Sequence, residues 1–240
     1  MSLFLPVLLI GTGMFGLQAF TKRHDSSTFD SPQSSRDIAD AYCSVPDQGK
    51  CLKKRNHLYV ADYPDQAEAL ALLQRMDRIL KRLYEAFEKT LKDISSIDVR
   101  YRLQWANKHG LRAADESELK WQLERIERFL RAIPSVTIGE VIKQNDSDLT
   151  SYTIDKRDLS MCLRDKQTNR LYEDNLITYV FLHELSHIMS PTVGHDETFI
   201  KCFRIMLNMA VYSRLYVQVD WSRNPVTYCG GIYLNSTVWA

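Results

Sequence analysis

Residues 180–189, VFLHELSHIM, set His183, Glu184 and His187 in the spacing H-E-x-x-H inside an uncharged apolar run broken only by that glutamate. Residues four apart on a helix lie one turn apart on one face, with Cβ atoms about 5–6 Å apart. That separation lets two imidazole nitrogens converge on one Zn2+ at roughly 2.0–2.1 Å each. Glu184 then sits beside the metal without ligating it, placed to take a proton from water as a general base. The segment EDNLITYVFLHELSHIMSP predicts a helix: Asp174 or Asn175 can cap it, and Pro191 marks its end. Leu176, Ile177, Val180, Phe181, Leu185 and Ile188 give it a wide apolar surface. A helix so apolar is expected to be buried, and two buried histidines and a glutamate need polar partners. A metal supplies them.

Catalytic zinc usually takes three protein ligands and keeps one position open. His195 follows His187 in the stretch SPTVGHDETF, past Pro191 and Gly194, which permit a turn. A second helix is expected from Asp196, with Phe199, Phe203, Met206 and Ala210 as its apolar stripe. The pattern is helix, turn, third ligand, helix, and three of the six histidines fall within it. The competing reading is of packed or surface histidines, or of a site that has lost its metal. A peptidase also needs a donor for the oxyanion. Tyr228, on the downstream turn VTYCGG, is the candidate, against ordinary packing. Asp196 is read as a helix N-cap, with orientation of His195 as the alternative.

The chain has 240 residues, 45% of them hydrophobic, enough for one good core. Its 31 basic and 30 acidic residues leave a net charge of +1, so no overall field points to nucleic acid. The run KCLKKR at 50–55 lacks interleaved aromatics and is read as a solvated turn. Residues 3–20 carry no charge and are followed by Lys22 and Arg23. A secretory signal would carry its positive charge before the apolar run. The expectation is therefore an uncleaved N-terminal membrane anchor (1–21), with the lipid membrane as a partner and residues 22–240 on the cytoplasmic side or inside a particle. A reducing setting would follow, leaving Cys43 and Cys51 as free thiols; an oxidising one would let them close a disulfide. Cys202 is expected in the core. With no C-x-x-C pair, a second, structural zinc site lacks support.

Residues 22–58 read as a flexible linker. Long amphipathic helices are expected over 64–93, opened by Pro64, and over 115–133, where Asp115 and Glu118 resemble a capping box. A short helix is expected within 98–110, with His109 at its end. Strands are expected near 136–142, 150–155 and 159–164. The tail 220–239 is turn-rich.

The blocks TSYTIDKRDLSMCLRD, TYVFLHELSHIMSPTVGHDETF and VTYCGGIYL, within roughly residues 59–235, resemble zincin-like proteins encoded by nucleocytoplasmic large DNA viruses. These are similar to the WLM and SprT-type metallopeptidases. The resemblance implies an α+β minimal zincin fold over 59–240, in which a small sheet backs the metal-bearing helix. It implies zinc on His183, His187 and His195, with Glu184 as general base, and a viral source. WLM and SprT enzymes that act on DNA–protein crosslinks carry DNA- or partner-binding extensions, and none is seen here. Two functions follow as expectations. One is a membrane-anchored zinc peptidase acting on a peptide or protein substrate. The other is a structural virion component, such as a minor capsid protein contacting capsid proteins, in which the zinc is a staple or a relic.

Overall fold

The computed structural model describes residues 52–55, 57–141, 150–235 and 238. Strands β1 (Leu52–Arg55) and β2 (Leu58–Ala61) form an antiparallel hairpin. Three helices follow: α1 (Gln66–Ser96), α2 (Val99–Lys108) and α3 (Glu116–Ala132). Then come β3 (Thr137–Glu140), β4 (Tyr152–Ile154) and β5 (Asp158–Met161). Helices α4 (Asp174–Met189) and α5 (Glu197–Tyr212) precede a second hairpin of β6 (Val226–Tyr228) and β7 (Ile232–Leu234). The five strands β1 to β5 make one sheet in the order β1-β2-β3-β5-β4. Its centre is parallel, β2 with β3 and β3 with β5, and β1 and β4 are antiparallel edges. The architecture is mixed α+β, as far as the expected fold class goes without its membrane-anchor helix.

Local chemistry explains the helix boundaries. Asp115 caps α3 by accepting from the Glu118 amide at 2.8 Å, and the Glu118 carboxylate reaches back to the Ala114 amide at 2.7 Å. Along α1, Leu73, Met76, Leu80, Leu83, Phe87 and Ile94 face the core at helical spacing. Asp77 breaks the apolar stripe because it takes hydrogen bonds from His57, at 2.8 Å, and Lys81, at 2.7 Å. Helix α4 is the centre of the molecule: Ile177 through Ser186 are all buried. At the far end of the sheet, buried Arg164 bonds Glu140 at 2.7 Å and also pairs with Asp65, while Glu140 accepts the Ala61 amide. Breaking such a buried pair from one side strands a charge without a partner, so this knot locks β2, β3 and the start of α1 together.

Three expectations are corrected: the membrane-anchored architecture, the single-pass membrane placement and the turn at KCLKKR. Among the described residues no helix is long and apolar enough to cross a membrane. Helix α4 is apolar but has only 16 residues, short of the ~20 a span needs, and the 31-residue α1 carries charges along its outer face. The membrane-anchored architecture and the single-pass membrane placement are therefore withdrawn; the segment 3–20 that prompted them lies outside the described residues. So do Cys43, Cys51 and most of the 22–58 stretch. The sheet nevertheless begins at Leu52, inside that stretch, because KCLKKR supplies an edge strand rather than a turn. The structure also bonds Cys162 to Cys229, with Cα atoms 6.0 Å apart, a pairing that the expected reducing setting did not anticipate.

Candidate metal centre

The local rules that end α4 and start α5 bring the three histidines together. Helix α4 stops at Ser190, before Pro191, and Gly194 turns the chain with a φ of 84°, in the left-handed region that glycine tolerates. Asp196 then caps α5 by accepting the Phe199 amide at 2.8 Å. His195 sits in this turn, one residue before the cap. One nitrogen from each of His183, His187 and His195 lies within 4.8 Å of the other two. The Nε2 atoms of His183 and His195 are 2.9 Å apart, and ring centroids are separated by 5.1, 4.9 and 4.9 Å. A tetrahedral centre with bonds of ~2.0–2.1 Å would set nitrogens about 3.3 Å apart, a value between the 2.9 Å of the His183–His195 pair and the 4.8 Å that bounds the three. The Phe199 ring lies beneath all three imidazoles, stacked on His187 at 4.3 Å.

Two side chains from the β4–β5 hairpin meet α4 here. Thr153 Oγ1 donates to Glu184 Oε2 at 2.8 Å and lies 3.2 Å from the Glu184 carbonyl oxygen. Lys156, in the hairpin turn, donates to the carbonyls of His187, Ser190 and Thr192, each at 2.8 Å. Its ammonium thus satisfies the carbonyl end of α4, where the helix dipole favours a cation. Asp155 and Lys156 both have positive φ, 49° and 55°, the conformation of a tight type I′ hairpin turn. Neither Thr153 nor Lys156 carries a signal in the sequence beyond lying near a strand. Their roles depend on a contact with residues about 31 positions away.

Tyr228 is fully buried, and its hydroxyl donates to the Cys162 carbonyl at 2.7 Å and lies 2.6 Å from Ser151 Oγ. Its single proton is thereby committed to a backbone carbonyl, and burial pushes its pKa far up. The Glu184 carboxylate adds to that shift. The other candidate, Asp196, spends one oxygen on the Phe199 amide and the Thr192 hydroxyl, as an N-cap does.

Burial also governs the charges of the centre. It holds His183 well below the ordinary 6.5, takes His187 to about 3 and lowers His195, so the imidazoles are neutral and their lone pairs available. Burial raises Glu184 to about 7, against the Thr153 hydrogen bond. The consequences for the metal-free protein have opposite signs. Unfolded imidazoles protonate near 6.5 and the folded ones resist, so stability falls as pH drops from about 6.5 toward about 3. The Glu184 contribution is complete below its unfolded value of about 4.5 and is lost as pH rises through about 7. Three imidazoles outweigh one carboxylate. The metal-stripped protein is expected to melt at a lower temperature near pH 5 than near pH 7. Equal melting temperatures would show that the imidazoles do not stay neutral on folding.

No protein-family model matches the chain, and no solved structure matches it. Among curated proteins it is similar to uncharacterized protein R325 of Acanthamoeba polyphaga mimivirus, 35% identical over 106 residues, covering 44% of this chain and 53% of that one. It is also similar to uncharacterized protein 042R of Invertebrate iridescent virus 3, 33% identical over 69 residues, 29% of this chain and 43% of that one. Uncharacterized protein 136R of Invertebrate iridescent virus 6 is 32% identical over 68 residues, 28% and 38% of the two chains. The chain spans about half the length, or less, of the curated relatives it matches. These relatives are proteins of large DNA viruses, in agreement with the viral source that the resemblance implied.

Proposed function

We propose that this chain is a zinc-dependent, zincin-like peptidase whose site is His183, His187, His195 and Glu184. The observation that carries the reading is the convergence of three neutral imidazoles, buried His183 and half-buried His187 and His195, beside the buried carboxylate of Glu184, which shares a helix with the first two. The donor set fits zinc: imidazole is a preferred ligand of this borderline cation, and no thiolate or carboxylate belongs to the cluster. Zinc bound there would lower the pKa of its water to about 7 and polarise a scissile carbonyl. The chain's own residues would do the rest. Glu184, whose carboxylate lies on the helix that carries His183 and His187, would accept a proton from the attacking water and hand it to the leaving amine. Among the described residues β4 has a free outer edge next to α4, and its backbone groups can pair with an extended peptide. Tyr228 could serve as oxyanion donor only by giving up the Cys162 carbonyl, so Tyr228→Phe is the variant that assigns or dismisses it.

The full chain is expected to carry one zinc and to cleave an unstructured protein substrate, with activity lost to a chelator and restored by zinc. Full zinc loading without hydrolysis of any peptide offered would reject the peptidase and favour a structural virion role, with zinc as a staple.

A further inference from the structure

Glu184 can act as a base only if one carboxylate oxygen faces the water while the other is held still. Its side chain is buried, 4% exposed, and Thr153 Oγ1 is its only hydrogen-bond donor among the described residues. That bond fixes Oε2 and leaves Oε1 unencumbered. Thr153 stands in the middle of β4, a strand of three residues, and β4 is pinned at both ends. At one end the Cys162 amide donates to Ser151 Oγ at 2.9 Å, Ser151 donates to the Tyr228 hydroxyl, and Tyr228 donates to the Cys162 carbonyl. This closed ring of three hydrogen bonds ties the start of β4 to the residue after β5. At the other end Lys156 clasps the carbonyls that finish α4.

We infer that Thr153 is the positioning residue of the Glu184 carboxylate, holding it by Oε2 so that Oε1 is presented to the water. The inference rests on the peptidase reading and adds to it a residue from a different element, acting through Glu184. A threonine selected only for strand propensity would be replaceable by valine, which has its shape and equal preference for strands. Hydroxyl donation is the one property that valine lacks and serine keeps.

The test therefore uses zinc-loaded, full-length Thr153→Val and Thr153→Ser beside the parent chain, with melting temperature and zinc content measured for each. Thr153→Val is expected to keep its zinc and its KM while kcat falls roughly tenfold to a hundredfold, the usual effect of removing a group that orients the centre of a metal site. Thr153→Ser should stay within about threefold of the parent. Crystal structures supply a readout independent of turnover: the Glu184 carboxylate should occupy one orientation in the parent and in Thr153→Ser, and rotate or split in Thr153→Val. An unmoved carboxylate in Thr153→Val overturns the inference, whatever the activity. A parent chain that binds zinc and hydrolyses nothing overturns the peptidase reading instead, and the carboxylate orientation still decides the role of Thr153. Should Thr153→Val fold poorly, Thr153→Ala removes the same hydroxyl with less bulk and is expected to give the same rotated carboxylate.

Discussion

Glu184→Gln is expected to keep one zinc per chain and to lower hydrolysis by roughly 10²–10⁴-fold, the range in which a positioned general base contributes. The amide keeps the size of the carboxylate and can still accept from Thr153, so the fold around α4 should be undisturbed. It cannot take a proton from water at neutral pH. His187→Ala is the informative contrast, since it deletes one of three ligands and should release the metal, and activity with it. The cost of His187→Ala to folding should be moderate, because Leu182, Leu185 and Ile188 keep α4 buried. The pair separates two failures: inactive with metal is the signature of a lost base, inactive without metal that of a lost ligand. Glu184→Gln with parental activity would remove Glu184 from the chemistry. His187→Ala with full zinc content would remove His187 from the ligand set.

The helices were legible for identifiable reasons. Helix α3 shows both its cap, Asp115, and its buried face, Leu119, Ile126 and Phe129, in sequence order. Helices α4 and α5 and the turn between them can be read from Pro191, Gly194 and Asp196, which is why three histidines up to 12 positions apart could be brought to one point without a structure. The sheet was legible over β3, β5 and the edge strand β4, which alternate or carry β-branched residues, but not over β1 and β2. By contrast β1 consists of Leu52, Lys53, Lys54 and Arg55, charges that suit an edge strand because they discourage further pairing. On the sequence alone such a run is indistinguishable from a solvated turn. Strands β6 and β7 have three residues each around Gly230 and Gly231, too short to show a period. Contacts that join distant parts of the chain were the least legible. Tyr228 is read from the sequence as an oxyanion donor on a downstream turn, yet its hydroxyl goes to Ser151 and Cys162, 77 and 66 positions away. The reach of Thr153 to Glu184 is of the same kind.

Replacing Cys162 and Cys229 together by serine is expected to cost about 4 kcal/mol of stability. The bond joins positions 67 apart, and loop-closure entropy for a loop of that length is of this order. For a chain of this size the melting temperature should fall by roughly 8–16 °C, and reductant acting on the parent protein should reproduce the shift. Consequences should also reach the metal centre. The bond anchors the β6–β7 hairpin beside the sheet, and Tyr228, next to Cys229, is the member of the Ser151–Tyr228–Cys162 ring that comes from the hairpin. Tyr172 gives the hairpin a second hold, accepting the Cys229 amide at 2.8 Å with its ring 5.0 Å from that of Tyr228. Loss of the bond should therefore loosen the hairpin without detaching it. The expected pattern is a large drop in melting temperature, a smaller fall in kcat through β4, and unchanged zinc content, because none of the three histidines lies on the hairpin. Two new thiols appearing on reduction with no change in melting temperature would show that packing and the Tyr172 contact hold the hairpin by themselves, and that the bond between Cys162 and Cys229 contributes nothing to the fold.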